Sequence, residues 1–206
     1  MAGAQAASSA PAGVEVRRTT DGIPHVLARD WRGLGYGYGY VQAQDALCTL
    51  AEAFVTFEGR RSAFFGAEAR PAASSTFGRP TNTELDFFFR ANADAAMVDA
   101  TRARQPAALN DMIAGYADGY NRHLREARAA AGTAGGGALP ACLGQPWVRE
   151  IGAADVYRRM YAAAIAGGYA RFIAEIANAR PGAAGEAPQA AQGGLAALLA
   201  PRVGGE

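Results

Sequence analysis

Two histidines could in principle act as catalytic bases, but neither lies in a pattern that supports this chemistry. His25 follows a proline in a segment with strand character, and His123 lies beside the apolar stripe of a helix. A hydrolytic centre needs a nucleophile, a base and donors that stabilise an oxyanion. The sequence contains neither a G-x-S-x-G nucleophile elbow nor an H-E-x-x-H metal motif. We therefore predict structural roles for both histidines and no catalytic residue in this chain.

The two cysteines, Cys48 and Cys142, lie far apart in the sequence. They could be two buried free thiols, which are common in proteins. They could instead form one disulfide that closes a long loop, which would indicate an oxidising compartment. The spacing alone leaves both alternatives open. Because neither cysteine has a second Cys or His at metal-ligand spacing, we predict no metal site and no cofactor.

Glycine alternates with leucine or tyrosine in the segment Gly33–Tyr40. This segment contains neither the G-x-G-x-x-G pattern nor the G-K-[ST] ending of phosphate-binding loops. We predict that its glycines allow two backbones to approach while its tyrosines pack, next to the start of a helix.

The composition is that of a globular domain with a hydrophobic core. The chain has 206 residues, of which 50% are hydrophobic, and a net charge of +1. Basic runs are no longer than two arginines, so we predict no nucleic-acid partner. No stretch approaches the roughly 18 apolar residues of a membrane-spanning helix, and the start lacks a secretory signal pattern. We assign residues 1–12 to a flexible leader, 13–179 to a helical domain and 180–206 to a linker-like tail.

The predicted fold class is mostly α with a short edge β-hairpin. Val14 and Val16 alternate with polar residues ahead of an Asp21-Gly22 turn signal, which predicts the hairpin. Pro24 is tolerated at the edge or the start of a strand. Two strands are too few to form a sheet alone.

Apolar residues at steps of three and four predict amphipathic helices in the rest of the domain. The first is predicted to start at Tyr40 and to stop at Gly59, and residues 66–83 are predicted to form a loop. The run Phe87–Phe89 is predicted to be core, with an apolar entrance as the alternative. Further helices are predicted from Thr83, from Pro106 and over 153–178.

The last of these helices contains two adjacent glycines, Gly167 and Gly168. Each costs about 1 kcal/mol relative to alanine inside a helix. We expect a kink or close helix packing at this point. The alternative is space left for a ligand or for another backbone.

Three pieces of sequence match a known pattern in their order and spacing. They are Asp21–Ala28, Gly33–Asp45 with its Ala-Gln-Asp ending, and Glu58–Arg61 followed by Phe65-Gly66. Together they resemble the start of the small subunit in the penicillin acylase family of N-terminal-nucleophile hydrolases. Ile113–Leu124 and Cys142–Trp147 extend the resemblance, which covers roughly residues 14–178.

This resemblance implies a precursor that is cut into two chains. The present chain would be the small, non-nucleophilic subunit, and together with a large subunit it would complete an αββα fold. The tail over 180–206 would lie near the processing site. The large subunit would begin with a nucleophilic serine, whose α-amino group titrates near pH ~7.7 and can accept the hydroxyl proton. The substrate would be a small-molecule acyl amide.

Within the family, the positions of Cys48 and Cys142 look most like the branch of acyl-homoserine-lactone and lipopeptide acylases. In that branch the corresponding cysteines are expected to pair. The resemblance therefore implies a disulfide between Cys48 and Cys142 and a periplasmic or secreted protein.

The resemblance also implies an acyl-binding site near Gly168, Tyr169 and Phe172. Phe172 fits an aromatic position of the family's pocket. Gly168 lies where penicillin-type members carry a bulkier side chain, so the pocket here would be longer and would favour long acyl chains. The alternative is that both residues only pack at the interface. Glu175 reaches the family's calcium-ligand position only in a shifted alignment, so we predict no calcium.

The first function that the resemblance implies is deacylation of N-acyl-homoserine lactones, which silences bacterial signalling, with β-lactams as further substrates. One alternative is a penicillin or cyclic-lipopeptide acylase. An alternative of another class is a stand-alone helical binding domain, which should be soluble and monomeric without an exposed apolar patch.

Overall fold

A computed structural model describes residues 13–71, 77–131 and 139–180 of the chain. In this part of the chain, one antiparallel hairpin precedes a set of helices, which confirms the prediction of a mostly helical fold with a short hairpin. The leader at 1–12 and the tail from 181 lie outside the described residues. The elements are β1 (Val14–Arg18), β2 (Pro24–Ala28), α1 (Trp31–Phe57), α2 (Arg61–Phe65), α3 (Asn82–Asn92), α4 (Ala95–Arg104), α5 (Ala107–Ala131), α6 (Ala153–Ala166), a 3-10 turn (Tyr169–Phe172) and α7 (Ile173–Ala177).

The hairpin has the predicted turn and register. Val14 pairs with Ala28 and Val16 with Val26, so the small apolar side chains share the face that lies against α1. Gly22 has a φ of 81°, a conformation that glycine adopts without steric cost. Leu27 points to the opposite face and is 68% exposed. The hairpin therefore covers α1 with one face and leaves an apolar side chain on the other.

Helix α1 begins nine residues earlier than predicted, at Trp31 instead of Tyr40. The expectation that the glycine and tyrosine segment lies next to a helix start is wrong, because the segment is itself helical. Asp30 caps the helix by accepting a hydrogen bond from the backbone N–H of Gly33 at 2.6 Å. The helical cost of the glycines is offset by the close packing that they permit.

Alternate glycines of α1 lie at its interface with α5. A Cβ atom placed on Gly35 would lie 1.9 Å from the carbonyl oxygen of Met112, and one on Gly39 would lie 2.1 Å from that of Tyr116. Both distances are far below van der Waals contact, so only glycine fits. The predicted close backbone approach is confirmed.

The facing helix contributes glycines with the same four-residue spacing. A Cβ on Gly115 would lie 1.9 Å from the carbonyl oxygen of Arg32, and one on Gly119 would lie 2.0 Å from that of Tyr36. Since residue numbers increase together on the two helices, α1 and α5 run parallel. The remaining glycines of α1 serve the hairpin, where a Cβ on Gly37 would lie 2.4 Å from Val26.

A disulfide joins Cys48 on α1 to Cys142, with a sequence separation of 94 residues. The pairing is the one that the family resemblance implies. Both cysteines border the core shared by α1, α5 and α6, and Leu143 and Val148 of the same loop are buried. The bond therefore ties the connection between α5 and α6 to the first helix.

The Glu58–Arg61 piece of the family pattern holds the end of α1 in place. Gly59 has a φ of 72° and ends the helix as predicted. The guanidinium of Arg61, which is only 5% exposed, donates to Glu52 and Asn82 at 2.8 Å each. Glu58 accepts from Arg149 at 2.9 Å. Buried arginine is stable here because its donors meet charged and polar acceptors.

The third helix starts one residue before the predicted position, since Thr81 and Glu84 form a capping box at its N-terminus. Phe88 and Phe89 are buried, as predicted for core, whereas Phe87 is 58% exposed. The helices α2 and α4 were not predicted. Both are short, and the hydrophobic periodicity that reveals longer helices is weak over five or ten residues.

Candidate functional site

The residues implied in acyl binding lie together at one corner of the domain, formed by the end of α6, the 3-10 turn and α7. We call residues 161–178 the aromatic corner. The helix predicted over 153–178 is interrupted here, because α6 ends at Ala166 and the chain passes through Gly167 and Gly168 into the 3-10 turn. The interruption is a complete break, larger than the predicted kink.

Neither glycine at this break packs closely against another part of the described chain. A Cβ on Gly167 would have no atom within 4 Å, and one on Gly168 would meet only the carbonyl oxygen of Ile165, at 3.6 Å. Of the two preferred expectations, the change in helix direction is borne out by the break, whereas close helix packing is wrong within the described residues. The glycines instead leave open space beside the backbone, the alternative that the sequence allowed.

Helix α3 forms the floor of the aromatic corner. Ala170 and Ile173 are fully buried, and they belong to one apolar cluster with Leu85, Phe88 and Phe89 of α3. The ring of Tyr169 lies 6.3 Å from that of Phe88 between centroids. At the far end, the side-chain amide of Asn178 donates to the carboxylate of Glu84 at 2.6 Å. The corner is thus anchored on both sides of its exposed residues.

The apolar face that was predicted for one continuous helix is divided by the break. Ile165 and Ile173 are buried, but Tyr169 is 45% exposed, Phe172 is 43% exposed and Ile176 is 39% exposed. These three exposed side chains follow one another within eight residues. Groups of exposed apolar side chains are common at surfaces that bind a ligand or a partner.

Two tyrosine hydroxyls connect the turn to α6. The hydroxyl oxygens of Tyr161 and Tyr169 lie 2.8 Å apart and share a hydrogen bond. Burial raises the pKa of Tyr161, and the hydrogen bond with Tyr169 raises it further, so the hydroxyl stays protonated at neutral pH. The hydrogen bond between the two hydroxyls therefore holds the turn in position against α6. Sequence reasoning missed Tyr161, since its partner is eight residues away across a helix break.

Phe172 is covered on one side by its neighbour. The guanidinium carbon of Arg171 lies 4.6 Å from the centroid of the Phe172 ring, a geometry that attracts the cation to the ring face. The carbonyl of Arg171 lies against Gly78, where a Cβ would approach it to 2.5 Å. The backbone of the turn is thus covered by the segment before α3, while the Phe172 ring remains accessible.

The two histidines have structural surroundings. His25 lies in β2 opposite Arg17. His123 is half-buried on α5, with its ring edge-to-face on Tyr40 at 5.6 Å between centroids. Burial lowers the pKa of His123, although Glu126 and Asp45 oppose this shift. Within residues 13–71, 77–131 and 139–180, no group of three or more His, Cys, Asp or Glu side chains is placed to hold a metal ion.

The described residues form a helical domain that exposes a group of apolar side chains at the aromatic corner. The chain belongs to the penicillin amidase family, whose model matches residues 13–196. The predicted family is therefore confirmed. No helix in the described part of the chain is long and apolar enough to cross a membrane.

Curated relatives of this chain carry acylase names. It is 39% identical over 192 residues to the acyl-homoserine lactone acylase PvdQ of Pseudomonas putida, an alignment that covers 93% of this chain and 23% of that protein. It is 32% identical over 182 residues to aculeacin-A acylase of Actinoplanes utahensis, covering 85% of this chain and 22% of that protein. The chain thus spans less than a quarter of the length of these relatives.

A solved structure of the thermostable penicillin G acylase from Alcaligenes faecalis has the same fold. The superposition has a TM-score of 0.59 with 29% sequence identity, and it covers 74% of this chain and 72% of that chain. Because the two shares are nearly equal, the two chains have similar lengths.

Proposed function

We propose that this chain is the non-nucleophilic small subunit of a two-chain acylase that removes the fatty acyl group from N-acyl-homoserine lactones. The observation that carries the proposal is the accessible aromatic corner, in a chain that is 39% identical to an acyl-homoserine lactone acylase. An apolar wall without a nucleophile is what a subunit that binds the acyl chain needs. The part of the longer relatives that this chain does not cover would supply the nucleophile and the other catalytic groups.

The reaction proposed is hydrolysis of an amide. The serine hydroxyl at the start of the large subunit attacks the acyl carbonyl, and the serine's α-amino group takes the proton. The C–N bond breaks, and the amine leaves with that proton. Water then cleaves the acyl-enzyme ester and releases the fatty acid. The aromatic corner would hold the alkyl chain during both steps, so that the carbonyl carbon stays in reach of the nucleophile.

The open space at Gly168 supports a preference for long acyl chains. A side chain at this position would project into the space beside the turn, where its Cβ would meet only the carbonyl oxygen of Ile165 within 4 Å. Tyr169 and Phe172 then provide aromatic surface on either side of Ala170. A longer pocket binds additional methylene groups, each worth about 0.8 kcal/mol when buried.

A periplasmic or secreted location forms part of the proposal. It is supported by the disulfide between Cys48 and Cys142, since disulfides persist in oxidising compartments. A second candidate function is deacylation of β-lactams or cyclic lipopeptides. This second candidate is supported by the similarity of the chain to aculeacin-A acylase and to a penicillin G acylase.

The test is expression of the full precursor with a secretion signal, followed by mass spectrometry of the purified protein and of its products. We expect two chains, with the larger one beginning with serine, and the release of intact homoserine lactone and fatty acid from N-acyl-homoserine lactones. Opening of the lactone ring without release of fatty acid would contradict an acylase. Faster release from penicillin or a lipopeptide would favour the second candidate, and a lone, folded, monomeric chain would support the binding domain.

A further inference from the structure

An apolar groove lies between α1, α5 and α6, on a part of the surface that the proposed function does not use. It has a volume of about 310 Å³. Its walls include Tyr38, Met112, Tyr116, Val156, Arg159 and Met160. Tyr38 is 45% exposed and Met160 is 40% exposed, so the groove is open to its surroundings along these two side chains.

One guanidinium, that of Arg159, lies in this apolar lining. Its Nη1 donates to the hydroxyl of Tyr116 at 3.0 Å and to the side-chain oxygen of Gln42 at 3.3 Å. The Tyr116 hydroxyl in turn donates to Gln42 at 2.7 Å. All hydrogen bonds of Arg159 within the described chain use this one nitrogen and neutral acceptors. The Nε and Nη2 positions remain available on the same edge of the guanidinium.

Two arginines near Arg159 on the chain have acidic partners, whereas Arg159 has none in the described part of the chain. Arg149 and Arg158 both reach the carboxylate of Asp155, at 2.7 Å and 4.0 Å. Arg159 forms no ion pair with any residue of the described ranges. A half-buried cation in an apolar groove is stabilised when a carboxylate pairs with it, and the free Nε and Nη2 match the two oxygens of a carboxylate side-on.

We propose that the groove receives a segment of the large subunit with apolar side chains and one carboxylate, which pairs with Nε and Nη2 of Arg159. This inference rests on the two-chain assembly of the proposed function. The two methionines support a protein segment as the occupant, because their flexible side chains adapt to irregular apolar surfaces. The exposure of Tyr38 and Met160 supports it too, since an apolar groove this open is covered more fully by a chain than by a small molecule.

The first experiment measures how fast the two chains of the processed precursor separate. Arg159→Met removes the charge and keeps an apolar side chain, so we expect dissociation to be roughly tenfold faster or more. Arg159→Lys keeps the charge but loses the side-on pair. Its dissociation rate should lie between those of the unchanged protein and Arg159→Met. Arg158→Met is the matched control on the preceding residue, whose Nε donates to the carbonyl oxygen of Ala93 and whose guanidinium forms an ion pair with Asp155 within this chain. It should leave the dissociation rate unchanged.

The second experiment places the photoreactive residue p-benzoylphenylalanine at Tyr38, with Arg104 as an exposed control position. Irradiation of the processed protein should link Tyr38 to a large-subunit peptide that contains Asp or Glu, and Arg104 should not label that peptide. Unchanged dissociation of Arg159→Met would overturn the inference, as would the absence of a link to the large subunit. Native mass spectrometry that finds a bound fatty acid, lost in Arg159→Met, would also overturn it. A precursor that yields no second chain would instead reject the proposed function.

Discussion

The interface between α1 and α5 and the aromatic corner both contain glycines, and the two regions use them in opposite ways. At the interface, Gly35 and Gly39 bring carbonyl groups of α5 to distances at which no Cβ fits. At the corner, Gly167 has no neighbour within 4 Å. Glycine therefore permits closure in one region and leaves space in the other. The first arrangement packs two helices together, and the second leaves the backbone at the corner open.

The burial of the aromatic side chains follows the same division. Phe54 and Tyr120 pack edge-to-face in the interior beside the α1–α5 interface, at 5.4 Å between centroids, and both are buried. Tyr169 and Phe172 at the corner remain more than 40% exposed. The region closed by glycine borders a large buried core, whereas the region opened by glycine keeps aromatic side chains exposed. The predictions below test this division.

The largest effect is expected from removing the disulfide that ties the closed region together. Replacing both cysteines, Cys48→Ala with Cys142→Ala, should lower the free energy of unfolding by about 4 kcal/mol, because the bond restricts a long loop of the unfolded chain. Thermal or urea unfolding of the purified protein in its native assembly measures this change. Hydrogen exchange at 169–178 should change far less than exchange in α1. An equal increase in hydrogen exchange at 169–178 and in α1 would show that the disulfide stabilises the two regions to the same extent.

A methyl group at the closed interface should also be strongly destabilising. Gly35→Ala places a Cβ 1.9 Å from a backbone oxygen of α5, so the helices must separate, at a cost of about 3 kcal/mol. Gly167→Ala is the matched control, because a Cβ on Gly167 would have no atom within 4 Å. It should change the unfolding free energy by less than about 0.5 kcal/mol. Equal changes in the unfolding free energy of the two variants would show that the interface between α1 and α5 accepts a methyl group as easily as the open corner does.

At the open corner, substitutions should alter substrate preference more than stability. Gly168→Leu would fill the space beside the turn and should lower kcat/KM for the longest acyl chains by about tenfold, with little change for the shortest. Phe172→Ala should weaken binding of long chains in the same assays. Gly144→Leu is the control, because a Cβ on Gly144 would have no atom within 4 Å and this glycine lies outside the aromatic corner. Loss of stability without a change in chain-length preference would assign the corner to packing alone.

The smallest effect concerns pH. Burial lowers the pKa of His123, so the folded protein favours the neutral ring. The resulting stability is complete above the ordinary value of about 6.5 and is lost as the pH falls from there through the lowered pKa. His123→Phe keeps a ring against Tyr40 and removes the titration, so its melting temperature should fall less between about pH 7.5 and about pH 5. Identical pH dependence in both proteins would rule out this contribution.

The amino-acid sequence predicted the elements whose signals are local. The Asp21-Gly22 turn with alternating valines predicted the hairpin, and Gly59 predicted the end of α1, because both depend on backbone conformations set by a few adjacent residues. The long stripe on α5 was equally clear. The family pattern added what local signals lacked, namely the pairing of two cysteines 94 residues apart.

The tertiary structure decided what the glycines do. From sequence, the glycine-rich start of α1 was predicted to lie before the helix, and this was wrong. The pair Gly167–Gly168 was predicted to form a kink or to pack closely. The helix is interrupted there, but the close packing is absent from the described residues. Glycine has no side chain of its own to bury, so its role depends on which backbone lies opposite. The same limit applies to Tyr161 and Arg159, whose partners are brought near them only by the fold. The sequence alone determined the hairpin, the end of α1 and the long amphipathic helices, because their signals lie in adjacent or periodic residues. The packing of the segments determined which surfaces are closed and which stay open, because it decides which backbone lies opposite each glycine.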